Sequence, residues 1–263
     1  MEELGRSFGS IADLYDAIRP GYPPTVVERV LGELGNISKA DVLVGCGSGQ
    51  ATRLFAPSGA RILATDLSAD LVALAKKRLA SFPNVQFGVS EFEKFESSIR
   101  FDLVFSAQAF HWIATKIGLP KAASLLKPRA PLALFWNFFR YDGNSHLEQI
   151  RDAMIRYMPL FGRYPEASDT EFNSFAAQWV DELNASGLYQ DVRAKTIWSE
   201  KEYSRVEFLT LVSSYSWFQT QTERVHSALM DKVSALFGQA PSRAHFPVRT
   251  LLVMARRDGG KVG

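Results

Sequence analysis

The sequence predicts a doubly wound α/β fold: a seven-stranded, mostly parallel sheet with helical insertions forming a substrate lid. Three observations carry that prediction. Between residues 41 and 137, short apolar runs alternate with stretches of helical period, the pattern of strand–helix–strand units. The first run, Asp41-Val-Leu-Val, ends in Gly45-Cys-Gly-Ser-Gly49. The side chains with ligand chemistry fall just after strands, where open α/β sheets bind their ligands.

Composition narrows the class. A chain of 263 residues suits one domain overall, read as a cap segment over 1–37, a core over 38–137, a helical substrate-facing region with strand six over 138–240, and a final core strand over 241–257. The net charge of +2 is spread along the chain and gives no nucleic-acid footprint. A single cysteine, Cys46, excludes a disulfide framework or a zinc knuckle, and no metal is expected. The start has neither a basic nor an apolar leader region, and no apolar run reaches a membrane span. The expectation is a cytoplasmic monomer or weak homodimer with a small-molecule substrate, and with neither nucleic acid nor membrane as partner.

In chain order, Arg19-Pro-Gly-Tyr-Pro-Pro24 cannot continue a helix and bends a short N-terminal helix back over the body. Tyr15 and Arg19 are candidates to cap a cofactor site; a plain structural arm is the alternative. Residues 25–31 read as a helix. The glycine turn then lets a ligand approach the backbone, and the next helix, opening at Gln50, presents unpaired N–H groups. A dinucleotide fingerprint fails here, because its third glycine falls on Gln50 or Thr52. A P-loop fails for want of Gly-Lys-Ser/Thr.

Residues 61–65 form the second strand. Asp66 at its end can take both hydroxyls of a ribose, although a loop acid is the plain alternative. Ser68 caps a helix over 69–82. The third strand, 84–89, leads to Glu91 and Phe92, which offer an acceptor and an apolar edge to an adenine ring or serve as ordinary loop residues. The fourth strand, 101–106, leads to Ala107-Gln-Ala-Phe-His-Trp-Ile113. A helix over 117–127 and a fifth strand over 130–137 follow. Beyond lie helices over 145–157, 171–186, 204–219 and 222–237, with strands six and seven over 191–198 and 247–256. Tyr157, Phe161, Trp179, Trp198, Tyr215, Trp217 and Phe218 are expected mostly in the core, a few lining an apolar cavity.

The glycine turn, Asp66-Leu-Ser68, Phe101-Asp-Leu-Val104 and Ala107-Gln-Ala-Phe-His-Trp112 together resemble the class I S-adenosylmethionine-dependent methyltransferases. The resemblance is to the branch of trans-aconitate methyltransferases and related small-molecule enzymes. Tyr15 with Arg19-Pro-Gly-Tyr-Pro, and Val248–Arg257, match that branch too; residues 138–240 match it weakly. The resemblance implies a Rossmann-like core, S-adenosylmethionine as cofactor, and methyl transfer to a carboxylate or hydroxyl of a small molecule. Cofactor contacts are then expected from Tyr15, Arg19, Gly45, Cys46, Gly47, Gly49, Asp66, Leu67, Glu91, Phe92, Ala107 and Gln108.

One position departs from that family. Leu43 stands two residues before the first glycine, where an acid usually helps to hold the methionine ammonium. Asp41 lies about 7 Å further back on the strand and cannot replace it directly. A non-catalytic or weakly cofactor-binding module therefore stays open, as does a nicotinamide oxidoreductase. On the substrate side the candidates are His111, Trp112, Trp136, Asn137 and Trp217. His111 either takes a proton from a hydroxyl or amine or only hydrogen-bonds the substrate or a neighbouring loop. A carboxylate needs no base and would use cations instead, with Arg19, Lys116 and Arg140 available. Gln108 and Trp112 would shape the same wall.

Overall fold

The computed structural model describes residues 18–237 and 243–260; Tyr15 lies outside them. The first half of the chain runs α1 (Pro24–Leu31), β1 (Asp41–Gly45), α2 (Thr52–Phe55), β2 (Arg61–Asp66), α3 (Ala69–Arg78), β3 (Val85–Val89), β4 (Leu103–Ala107), α4 (Thr115–Leu125) and β5 (Pro131–Phe139). The second half runs α5 (Ser145–Tyr157), α6 (Asp169–Ala185), β6 (Tyr189–Ser204), α7 (Arg205–Ser213), α8 (Ser216–Gln219), α9 (Glu223–Phe237) and β7 (Arg243–Arg257).

The seven strands form one sheet in the order β3-β2-β1-β4-β5-β7-β6. The pairs from β3 through β5 are parallel. Arg140 N–H donates to Pro247 C=O and Arg257 N–H donates to Ala130 C=O, so β7 runs antiparallel to β5. The chain leaves β1 toward β2 on one side, and β4 closes on its other side. That reversal makes the C-terminal ends of β1 and β4 the crevice where such sheets bind ligands. In register, Gly45 of β1 lies beside Thr65 of β2 and Ser106 of β4.

The strands near the crevice are apolar because both sheet faces are covered. Val42, Leu43 and Val44 are all buried, as is every residue of β5. Phe55 stacks on Phe105 at 4.2 Å between centroids, and Phe105 on Phe135 at 5.9 Å. Each such ring contributes roughly 1.5–3 kcal/mol by leaving water.

Contacts divide the described chain into two compact units. One holds residues 21–137, 176–197 and 250–260; the other holds 18–20, 138–175 and 198–237 with 243–249. In the second, α5 buries Leu147, Ile150, Ala153 and Met154, and α9 buries Leu229, Val233, Leu236 and Phe237. Asn144 caps α5 by accepting from His146 and Leu147 N–H. Phe246 fills the centre of this unit and stacks on Phe208 at 4.5 Å.

Several elements differ from the sequence expectation. The helix expected over 69–82 stops at Arg78, because Phe82 precedes Pro83 and is biased away from helical geometry. The helix expected over 204–219 divides into α7 and α8. Ser213 and Ser214 hydroxyls donate to Thr210 and Leu211 C=O at 2.8 and 2.6 Å, competing with the helical ladder. Strand β6 is longer than 191–198: Tyr189 and Tyr203 are buried at its added ends, and residues 199–202 are polar and charged on a sheet edge, where charges deter unwanted pairing. Strand β7 starts before 247 and runs through Pro247. Pro247 C=O still accepts from Arg140 N–H just beyond β5, so the proline removes only the reciprocal bond of that last rung. Among the expected core aromatics, Phe161, Trp179 and Phe218 are buried while Trp198 is 55% exposed. Among the described residues no helix is long and apolar enough to cross a membrane, and no cluster of acids, histidines and cysteine could hold a metal.

Candidate active site

The glycines divide the work of the turn. A methyl group built on Gly45 or Gly47 would meet nothing within 4 Å, so both backbones border open ground. Gly47 also has φ +50, in the left-handed region. Gly49 has φ +91, and a methyl there would lie 3.2 Å from Ala75 and Leu79. Gly49 thus admits α3 against the turn, whereas Gly45 and Gly47 leave room for a ligand.

Asp66 ends β2 beside that ground. One carboxylate oxygen accepts from Gly47 N–H at 3.0 Å and the other from Ser68 N–H at 2.9 Å. Each oxygen retains a lone pair for a further donor. Flanking it, Leu67 is 74% exposed and Val89, paired in register with Asp66, is 56% exposed. Val89 escapes a reading of the sequence because it passes for an ordinary strand residue; its register beside Asp66 is the signal. Cys46 packs its side chain into the core, where burial foremost and Asp66 second push its thiol up to about 12. Only its backbone faces the turn's chemistry, its N–H donating to Thr65 C=O.

Leu43 is buried, and Asp41 is held by Arg61 through contacts of 2.7 and 2.9 Å. Neither supplies an acid at the head of the turn. Glu91 pairs with Lys94 at 2.8 Å on the surface, and the Phe92 ring meets Phe110 edge-on at 5.8 Å.

Beyond β4, the backbone of Gln108 takes φ 55, and its N–H donates to Phe135 C=O. Its side chain clamps Asn137, donating to the Asn137 carbonyl at 3.2 Å and accepting the Asn137 N–H at 3.0 Å. Asn137 in turn donates its side-chain N–H to Gly21 C=O and accepts from Thr250 at 2.6 Å. The polar ends of Gln108 and Asn137 are thus engaged in joining strand ends and the segment entering α1. Thr250 has no sequence signal, since it lies more than a hundred residues from its partner.

His111 follows this clamp. Trp136 Nε1–H donates to His111 Nδ1 at 3.0 Å. Trp136 is 1% exposed and stacks on Trp179 at 5.0 Å, and Phe110 meets Trp179 edge-on at 5.8 Å. Trp136 is therefore core, and reaches the site through His111. Burial of the imidazole lowers its pKa from the ordinary 6.5. Trp112 is 73% exposed, its ring 4.8 Å from that of His111.

Arg19 lies over Tyr215 at 4.3 Å and donates to Ser214 C=O, within the helical unit. Arg140 is paired with Asp169 at 2.9 Å, and Lys116 is exposed. The Trp217 side chain lies outside what the structure describes.

A doubly wound sheet with an open glycine turn and an acid at the end of its second strand defines a class of nucleoside-cofactor enzymes. Comparison with known proteins makes the assignment specific. Residues 42–129 match the family described as methyltransferase domain. An uncharacterized methyltransferase-like protein of Schizosaccharomyces pombe is 31% identical over 233 residues, covering 83% of this chain and 82% of its own. A malonyl-[acyl-carrier protein] O-methyltransferase of Ilyobacter polytropus is 35% identical over 100 residues, covering 36% of this chain and 38% of its own. A solved structure from Anaeromyxobacter dehalogenans, provisionally named a type II methyltransferase, has the same fold. It matches with a TM-score of 0.63 at 19% identity, over 90% of this chain and 97% of its own. The chain belongs to the class I methyltransferases, enzymes that use S-adenosylmethionine. That assignment sets aside the oxidoreductase. The trans-aconitate branch is not among the names these relatives carry.

Proposed function

We propose that this methyltransferase acts on an oxygen, carboxylate or hydroxyl, of a small organic molecule. S-adenosylmethionine, when bound, supplies a methyl group already activated on a sulfonium, so the protein chiefly contributes position and exclusion of water. Gly45 and Gly47 would border the cofactor, where a Cβ would fill the ground they leave open. Asp66 would take the ribose hydroxyls with its remaining lone pairs, and exposed Leu67 and Val89 would cover the adenosine on either side. With Leu43 buried, the methionine ammonium would be held by groups other than the usual acid.

The observation that carries the oxygen acceptor is the segment after β4. It presents His111 and no carboxylate, and its Gln108 amide is committed to Asn137. It lacks the Asn/Asp-Pro-Pro-Tyr that grips an exocyclic amine in adenine-type enzymes. The O-methyltransferase relative of Ilyobacter polytropus, whose resemblance is confined to part of the chain, points the same way. The test is release of S-adenosylhomocysteine from S-adenosylmethionine across a panel of organic acids, phenols and amines, beside calorimetry with both cofactor forms. Turnover of acids or phenols is expected. Turnover of amines alone would end the reading.

A further inference from the structure

We propose that Trp136 fixes the tautomer of His111 so that His111 Nε2–H donates to the acceptor, which is a carboxylate. This narrows, and rests on, the oxygen-acceptor reading above. The Trp136 indole Nε1–H points at His111 Nδ1 over 3.0 Å. An indole nitrogen donates and never accepts, so the ring nitrogen facing it carries no proton. Turning the imidazole over would put a carbon there and break that hydrogen bond, which costs stability. The indole is itself held in place: Trp136 is 1% exposed and stacked on Trp179. In the neutral ring the single proton therefore resides on Nε2. A second proton, on Nδ1, would oppose the indole N–H.

That assignment decides what His111 can do. Nε2 holds a proton already and cannot take one from a hydroxyl. It can donate a hydrogen bond to an oxygen that bears charge. A hydroxyl acceptor has a proton to shed, and this ring does not receive it at Nε2. A carboxylate has none. Its oxygen supplies the electron pair of the new O–C bond, and the pair of the broken C–S bond stays on sulfur. The negative and positive charges cancel, giving an ester and a thioether with no proton released. Trp136 is then a positioning residue, and His111 Nε2–H would orient the carboxylate through a hydrogen bond.

Heteronuclear NMR of the full chain with ring-labelled histidine and bound S-adenosylhomocysteine reads the tautomer directly, His111→Gln assigning the signal. The expected result is a protonated Nε2 and a bare Nδ1, with the preference lost in Trp136→Phe. Turnover is read on matched carboxylic acids and the corresponding alcohols. Acids are expected to react and alcohols not. His111→Gln, whose amide can donate but takes no proton, should stay within about tenfold of wild type, while His111→Ala loses about a hundredfold. A proton on Nδ1, an unchanged tautomer in Trp136→Phe, turnover of alcohols or of neither set, or His111→Gln as inactive as His111→Ala would each overturn the proposal. Calorimetry separates the two levels. If S-adenosylhomocysteine binds and the tautomer is wrong, only this inference falls; if it does not bind, the wider reading falls too.

Discussion

The glycine turn and the interior of the helical unit handle polar groups in opposite ways. At the turn the donors are backbone N–H groups, and one carboxylate, Asp66, receives those of Gly47 and Ser68. In the helical unit the polar interior is built from long side chains. Arg249 is 2% exposed, reaches Asp169 at 2.5 Å and Pro165 C=O at 3.2 Å, and covers the Phe172 ring at 4.1 Å. Arg140 joins the same Asp169, and Tyr203 donates to Ile18 C=O at 2.5 Å. The turn keeps its polarity close in sequence and leaves ground open. The helical unit gathers its polarity from distant segments and fills the space. Changes in the helical unit should therefore register in stability, and changes at the turn in ligand binding.

The largest expected effect tests the first half of that statement. Phe246→Ala empties a fully buried position and should cost about 3–5 kcal/mol in urea denaturation. Affinity for S-adenosylhomocysteine, measured where the variant is still folded, should not change; a loss of binding would break the contrast. Asp169→Ala removes the carboxylate partner of the buried Arg249 guanidinium. Because Asp169 is itself half exposed, the cost should be smaller, about 2 kcal/mol.

The same unit should also show its buried charge in the pH dependence of folding. Burial raises Glu166 from 4.5 to about 7, while Arg19 and Arg249 pull it down. Between those values the folded protein keeps a proton that the unfolded chain releases. Glu166 therefore takes stability away as pH rises from 4.5 to about 7. Denaturation midpoints measured across that range should show Glu166→Gln gaining on wild type toward the alkaline end. Parallel curves would mean the carboxyl titrates alike in the folded and unfolded chain.

At the turn the effects on folding are smaller and those on binding larger. Asp66→Ala leaves the N–H groups of Gly47 and Ser68 without their acceptor and should cost about 1 kcal/mol, with a marked loss of S-adenosylhomocysteine binding by calorimetry. Gly45→Ala is the limiting case. Its backbone is not left-handed and the added methyl meets nothing, so melting should hardly move while binding falls. Unchanged binding in Gly45→Ala would remove the proposed cradle.

The same contrast explains how much could be read from the sequence. Strands β1, β4 and β5 were legible because burial on both faces writes them as apolar runs, β2 and β3 as shorter apolar runs between turns, and Asp66 because it closes β2. The full lengths of β6 and β7 were not: one is a charged edge, and the other passes a proline that removes only one bond of the last rung beside β5. The break after α7 depends on serine hydroxyls bonding backward, which no apolar period records. At the site, His111 was legible as a residue type after a strand. The bare nitrogen it presents to Trp136 was not, since the pair stands 25 residues apart and meets only when β4 and β5 lie side by side. Gln108 read as a cofactor contact and as part of the substrate-side wall, and its amide closes on Asn137 across the same two strands.

The lone thiol of Cys46 sits inside the glycine turn, sealed and held in its protonated, unreactive form. Alkylating reagents can reach it only when the loop breathes. The rate at which the native protein consumes such a reagent is thus a stopwatch on that breathing, with no second sulfhydryl to confuse the count.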